Sequence, residues 1–314
     1  MRAATVREQQ IVVEEHPDPA PGAGEVLVRV RAAGLNGGDL MQRRGLYPAP
    51  PGWPQDIPGM ELAGEVAALG DGAERFAVGA RVMAIVGGGG QAQLAVVHER
   101  LLMPVPDGLS WPQAGGLPEV FTTAHDALFS QAQLRSGERL LVHGGAGGVG
   151  TAAIQLARAT GARATATVRA EELREQVTRL GANVLAPDDF LDHGPYDVIL
   201  ELVGAPNLGH NLQALATGGR ITVIGVSAGA TGELNLLALM GKRARIHGST
   251  LRGRPVEEKA LAARALEREV LPLFESGALE VPVADTFPLD DAAAAYSRFE
   301  AGGKLGKIVL LMDG

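Results

Sequence analysis

One stretch constrains this chain more than any other: Leu141-Val142-His143-Gly144-Gly145-Ala146-Gly147-Gly148-Val149-Gly150. An apolar, strand-like run enters it (139–143), and a helical run leaves it (151–159). Gly145, Gly147 and Gly150 fit G-x-G-x-x-G, a pattern that is weak alone and specific where a strand ends and a helix opens inside a βαβ unit. In such a turn the glycines permit a tight bend, a close backbone approach to a pyrophosphate, and close packing of helix on sheet. The new helix offers the anion unpaired N–H groups and the positive end of its dipole. A dinucleotide site formed by Gly145, Ala146, Gly147, Gly148, Val149 and Gly150 is therefore expected.

The surroundings agree. After residue 138 strand-like and helical runs alternate: strands over 139–143, 164–168, 197–203 and 220–226, helices over 151–159 and 171–180, the second closed by Gly181. The strands are continuously rather than alternately apolar, as strands buried on both faces of a parallel sheet are. This predicts a doubly wound α/β domain. The first third reads instead as short strands and turns, with strands over 10–14, 25–31, 63–68, 81–85 and 92–97. A proline-rich stretch (48–58) is unfit for regular structure, and Gly87–Gly90 reads as a flexible loop. Beyond the α/β part come an amphipathic helix over 257–276, a strand over 281–283, a helix from Asp290 and a last strand over 307–311.

Composition excludes several function classes. The 314 residues are 46% hydrophobic and 20% charged, which suits a folded chain of two domains. The net charge of −8, with no basic block, argues against nucleic acid or an anionic membrane as partner. The only lysines are Lys242, Lys259, Lys304 and Lys307. There is no cysteine, so no disulfide, thiol nucleophile or thiolate ligand can form. No signal-peptide core and no long apolar run is present, so a cytoplasmic, non-membrane protein is expected.

The second strand of the α/β part decides the coenzyme expected. NAD sites place Asp or Glu about 20 residues beyond the glycines, against the ribose 2′-hydroxyl. Here the strand ends Thr165-Ala166-Thr167-Val168-Arg169, and a guanidinium suits a 2′-phosphate. NADP(H) is expected over NAD(H), with Arg169 or Arg174 supplying the charge.

Other segments carry a family resemblance. Ala33-Gly34-Leu35-Asn36-Gly37-Gly38-Asp39, Gly45-Leu46-Tyr47-Pro48, Pro58-Gly59-Met60-Glu61-Leu62-Ala63-Gly64, the glycine turn, Gly248-Ser249-Thr250-Leu251-Arg252 and Gly306-Lys307-Ile308-Val309-Leu310 together resemble the medium-chain dehydrogenase/reductases. Gly88-Gly89-Gly90-Gln91-Ala92-Gln93 and Gly150-Thr151-Ala152-Ala153-Ile154-Gln155-Leu156 resemble the zinc-independent quinone oxidoreductase branch. The resemblance implies a Rossmann-type domain (117–261) inserted in a mostly-β, GroES-like catalytic domain (1–116 plus 262–314), with nicotinamide and substrate in the cleft between them. It implies a homodimer joined through an edge strand of the nucleotide domain, over 245–249. Zinc-dependent relatives carry Cys where this chain has Asn36 and His where it has Met60, so no metal is expected. Tyr47 and Asn36 become the catalytic candidates, as hydrogen-bond donors to the acceptor or, for Asn36, to a ribose. Asp39 reads as a local structural acceptor, and Trp53 either as a residue of the loop that caps the acceptor or as a packing anchor. Thr123, Leu202, Ile224, Thr250 and Leu251 carry over as contacts near the nicotinamide. In some relatives a lysine and a tyrosine lie near the 2′-phosphate, where this chain has Leu173 and Pro187.

The function expected is NADPH-dependent, metal-independent reduction of a quinone. Two alternatives stand beside it: an enone, alkenal or enoyl-thioester reductase on the same scaffold, and a non-catalytic NADPH-binding sensor or structural protein.

Overall fold

The computed structural model describes residues 1–312 and divides into two compact units. The first holds Met1–Thr122, Leu251–Gly302 and the chain from Lys307. The second holds Thr123–Thr250 and Gly303–Gly306. These divisions stand at 122/123 and 250/251, against the expected 116/117 and 261/262.

The first unit is built on a seven-stranded sheet. Its order is Val283–Pro288, Lys307–Leu311, Glu25–Gly34, Glu61–Leu69, Arg81–Ile85 and Met103–Pro104, and Leu94–His98 also pairs with Glu25–Gly34. All pairings are antiparallel except that of the two C-terminal strands. Val26, Val28 and Val30 point inward from one strand, as the alternation predicts, and meet Leu62, Val66, Val82, Ile308 and Leu310. A separate hairpin pairs Arg2–Arg7 with Gln10–Glu15. The first of these strands was not legible in the sequence.

Two expectations fail here for physical reasons. Helix 257–276 is broken into Val256–Glu269 and Leu271–Glu275, because Pro272 cannot donate the hydrogen bond that would continue the first helix. The segment Gly87–Gly90 is buried, not a flexible surface loop. A Cβ at Gly87 would stand 2.5 Å from Trp53 Cδ1, and one at Gly90 would stand 2.7 Å from the carbonyl oxygen of Glu61. The glycines let the proline-rich loop lie directly on the chain.

The second unit is a six-stranded, all-parallel sheet. Its order is Ala182–Leu185, Arg163–Thr167, Arg139–His143, Tyr196–Glu201, Leu215–Val223 and Arg245–Gly248. In chain order this reads 3-2-1-4-5-6, the doubly wound arrangement. Its switch point lies between Arg139–His143 and Tyr196–Glu201, so ligands of such sheets gather where the glycine turn leaves the first of these strands. Ala182–Leu185 is a further strand that the sequence did not reveal. The expected helix over 171–180 is a 3₁₀ turn, Glu171–Leu173, leading into Arg174–Arg179.

Candidate active site

The glycine turn is shaped by specific close contacts. The positive φ falls on Gly144 (73°), so Gly144, not Gly145, supplies the left-handed bend. Gly145 is required because a Cβ there would lie 2.7 Å from Ala166 Cβ on the neighbouring strand. At Gly150 a Cβ would lie 2.4 Å from the Gly144 oxygen, so this glycine packs the helix against its own turn. Gly147 differs: a Cβ there would meet only the Gly144 oxygen, at 3.4 Å. The packing around Gly147 therefore does not by itself demand a glycine.

The turn is pinned on several sides. Gly145 N donates to Thr167 O (3.0 Å), Gly306 N to Ala146 O (2.8 Å) and Thr151 N to Gly147 O (2.8 Å). Gly147 caps the helix Gly148–Ala159, and the amides of Gly148, Val149 and Gly150 donate to no backbone carbonyl among the described residues. Three adjacent donors at a helix N-terminus fit a diphosphate.

Behind the turn lies a buried polar chain. Asn211 Nδ2 donates to Glu201 Oε2 (2.7 Å), so Asn211 Oδ1 accepts from His143 Nε2 (2.7 Å) and His143 Nδ1 accepts from Thr167 Oγ1 (3.0 Å). That assignment needs a neutral imidazole, and burial pushes the His143 pKa down. Glu201 Oε1 in turn accepts from the amides of Val203 (2.6 Å) and Gly204 (2.8 Å). The chain ties together the carboxyl ends of three strands around the switch point.

The other expected coenzyme residues are distributed as follows. Leu202 and Ile224 stand half-buried, each one residue past the end of a sheet strand. Thr123 is buried and Thr250 exposed, both in the second unit. Leu251 is buried in the first unit. Arg169 is exposed just beyond the strand Arg163–Thr167 and pairs with no carboxylate among the described residues. Arg174 is tied down, its Nε donating to Val168 O (3.2 Å).

In the first unit the candidates Asn36 and Tyr47 belong to a cluster of buried charges. Lys307 Nζ lies 2.7 Å from Glu61 Oε1 and donates to Asn36 Oδ1 (2.7 Å) and Leu35 O (2.7 Å). Asn36 Nδ2 donates to Glu61 Oε1 (2.9 Å), and the Glu119 amide to Glu61 Oε2 (2.8 Å). The Asn36 amide is thus engaged at both ends inside the protein, and it would have to give up a partner to reach an acceptor or a ribose. Asp39 accepts from the amides of Asn36 (2.8 Å) and Gly59 (3.0 Å), as a local structural acceptor does. Burial raises the Asp39 pKa to about 6 and, with the charge of Glu61, the Glu119 pKa to about 8.

Tyr47 is half-buried, its hydroxyl makes no hydrogen bond among the described residues, and burial raises its pKa. Arg252 holds it from behind: the guanidinium lies 4.9 Å from the ring centre and donates to Tyr47 O (2.8 Å), Gly87 O (2.7 Å) and Gln42 Oε1. Sequence reasoning missed Arg252, Glu61, Glu119 and Lys307 as members of this site. Glu61, Glu119 and Lys307 come together only through the sheet and its neighbours, so no local spacing could reveal them. Among the described residues no group of three or more His, Cys, Asp or Glu side chains is placed to hold a metal, and no helix is long and apolar enough to cross a membrane.

Two family patterns match the chain: the alcohol dehydrogenase GroES-like domain over residues 22–107 and the zinc-binding dehydrogenase over residues 180–310. Quinone oxidoreductase of Rattus norvegicus is 33% identical over 306 residues, covering 94% of this chain and 91% of the rat protein. The chain belongs to the quinone oxidoreductase family of medium-chain dehydrogenase/reductases. It is an oxidoreductase of the medium-chain type, with the inserted parallel-sheet domain and the GroES-like domain of that fold. An alcohol dehydrogenase superfamily protein of Novosphingobium aromaticivorans superposes with a TM-score of 0.89 at 32% identity, covering 100% of both chains. A crotonyl-CoA carboxylase/reductase solved in complex with NADP superposes with a TM-score of 0.85 at 25% identity, covering 99% of this chain and 94% of that one.

Proposed function

We propose that this enzyme is an NADPH-dependent, metal-independent quinone reductase. The observation that carries the reading is the glycine turn at the switch point, with three free amides and a Gly147 that packing alone does not demand. The resemblance to quinone oxidoreductases supports the choice of acceptor. Bound at that turn, a reduced nicotinamide supplies the hydride. The amides of Gly148, Val149 and Gly150 hold the diphosphate, and Arg169 pairs with the 2′-phosphate. Arg169 is the free guanidinium at the place where an NAD site would carry a carboxylate. Arg169→Ala is expected to raise the KM for NADPH about tenfold and leave that for NADH within about twofold, since one charge-assisted contact is worth roughly 1.5–3 kcal/mol. Initial rates with both coenzymes check this; equal losses would remove Arg169 from the site.

The absence of a metal in the reading rests on donor chemistry. Met60 and Asn36 are poor zinc ligands, and the Lys307 ammonium already neutralises Glu61. Without a Lewis acid the acceptor must itself be electrophilic, as quinones are. Tyr47 offers its free hydroxyl to the acceptor oxygen, and Arg252 fixes the ring. Tyr47→Phe is expected to lower kcat for 1,4-naphthoquinone about tenfold or more while calorimetry finds the NADPH affinity unchanged. An unaltered kcat would make Tyr47 a packing residue only.

An enone or enoyl-thioester acceptor is the second reading, favoured by the likeness to the crotonyl-CoA carboxylase/reductase. Rates with a quinone panel and an enone panel separate the two. The chain is further taken as a homodimer joined through Arg245–Gly248. That strand pairs on one side only, and the helix before it exposes Leu236, Leu237 and Met240.

A further inference from the structure

Glu201 ends the fourth strand of the second unit's sheet and is only 3% exposed. Its partners are neutral N–H groups. Oε1 accepts from the amides of Val203 (2.6 Å) and Gly204 (2.8 Å), and Oε2 from Asn211 Nδ2 (2.7 Å) and Asn207 Nδ2 (3.2 Å). The neighbouring His143, 3.9 Å away, is held neutral by burial. A carboxylate buried without a cation is costly, and an apolar side chain would fill the same place more cheaply. What an apolar side chain could not supply is the acceptor: the Val203 and Gly204 amides find no backbone carbonyl among the described residues.

The turn held in this way is tightly constrained. Gly204 has φ 120°, a conformation that L side chains rarely adopt, and a Cβ there would stand 2.5 Å from Gly229 O. The Glu201 carbonyl accepts from the amides of Ile224 (3.0 Å) and Gly225 (3.1 Å), and Ala228 N donates to Val203 O (2.9 Å). The segments that leave the fourth and fifth strands, 202–204 and 224–229, therefore form one block, and both are tied to Glu201.

The block lies on one half of the sheet. A sheet of order 3-2-1-4-5-6 takes one mononucleotide on each half, across the switch point. Arg169 follows the second strand, so the proposed 2′-phosphate contact belongs to the first half. Residues 202–204 and 224–229 belong to the second half, which leaves them the nicotinamide mononucleotide.

We propose that Glu201 is the positioning residue for the nicotinamide half of the coenzyme. It acts through the backbone of the two segments, by the reach of its oxygens and not by its charge. This rests on the NADPH reading. Asn211, His143 and Thr167 hold the second oxygen in a line of donors that starts at Thr167 Oγ1 and ends on Glu201. The line has a direction, and so a signature. In Glu201→Gln the backbone amides cannot turn round, so Oε1 stays on Val203 and Gly204 and the new Nε2 faces Asn207 and Asn211. Those two amides then flip. Asn211 Nδ2 donates to His143 Nε2, and the imidazole carries its proton on Nδ1, which donates to Thr167 Oγ1.

Two variants separate reach from charge. Glu201→Asp keeps the charge and draws the carboxylate back by about 1.5 Å, whereas Glu201→Gln keeps the reach and removes the charge. Calorimetry on the full chain measures NADPH and 2′-phospho-ADP-ribose, a fragment with the diphosphate and the 2′-phosphate but no nicotinamide. Glu201→Asp is expected to weaken NADPH about tenfold and the fragment by less than about twofold, so that fragment binding also shows the fold to be intact. Glu201→Gln should keep NADPH affinity within about threefold, and nitrogen NMR should find the His143 proton on Nδ1 in place of Nε2. Equal losses of NADPH and fragment in Glu201→Asp overturn the role. So does a Glu201→Gln protein as weak as Glu201→Asp, or one that binds NADPH with the proton still on Nε2. The same titrations with NADH and ADP-ribose tell the role from the reading. If the wild type binds only these and Glu201→Asp weakens NADH alone, the NADPH reading falls and the role of Glu201 stands. If Glu201→Asp binds NADPH as the wild type does, the role falls and the reading stands.

Discussion

Gly147→Ala is expected to reduce NADPH affinity about a hundredfold while leaving the protein as stable as the wild type. The loss corresponds to one or two charge-assisted contacts, each roughly 1.5–3 kcal/mol, because a methyl group would stand where the diphosphate must come closest. Stability should hardly change, since Gly147 has φ −73° and ψ 166°, a conformation open to alanine, and the new Cβ meets only the Gly144 oxygen at 3.4 Å. The lower entropy of the unfolded alanine chain, about 0.4–1 kcal/mol, offsets any small capping loss. Gly150→Ala is the contrast. Its Cβ would enter to 2.4 Å from the Gly144 oxygen and 2.8 Å from Gly145 Cα, both backbone atoms that cannot turn aside. Overpacking of this kind costs about 1–3 kcal/mol, so Gly150→Ala should lose affinity and unfolding temperature together. Calorimetry with NADPH and a thermal melt on each variant read the two effects. A Gly147→Ala protein that binds NADPH like the wild type would refute the coenzyme site.

The contrast between these two glycines also marks how far the sequence could be read. The G-x-G-x-x-G spacing located the turn, because a strand, a glycine run and a helix in succession are local features. It could not assign the work of each glycine. Gly144 carries the left-handed bend, and Gly145 is set by Ala166, a residue of the next strand. Strands 81–85, 139–143 and 307–311 were legible to the residue, since continuous apolar runs between turn residues have few alternatives. Arg2–Arg7 and Ala182–Leu185 escaped: the first carries charge at both ends and the second is only four residues long. Gly87–Gly90 was misread because glycine serves both flexibility and close packing, and only the position of Trp53 decides between them. The buried charges were illegible for a deeper reason. Glu61, Glu119, Lys259 and Lys307 each look like ordinary surface residues in their own segments.

Lys307→Met is expected to be the most destabilising single substitution in the first unit, at about 3–5 kcal/mol. That is the usual cost of leaving one member of a buried ion pair without its partner. Glu61 is fully buried and Lys307 is 2% exposed, so water cannot replace the lost ammonium. Asn36 and the Glu119 amide would still donate to Glu61, but neither brings a compensating charge. For a unit of this size the loss lowers the unfolding temperature by roughly 10 °C. The double variant Lys307→Met/Glu61→Leu should recover most of it, because a buried ion pair replaced by apolar groups of similar volume is often neutral. Thermal melts of the two single variants and the double one form the cycle. A Lys307→Met protein that melts within about 2 °C of the wild type would mean the pair carries little charge in the folded state. The cluster would then act as a hydrogen-bond network rather than as an ion pair.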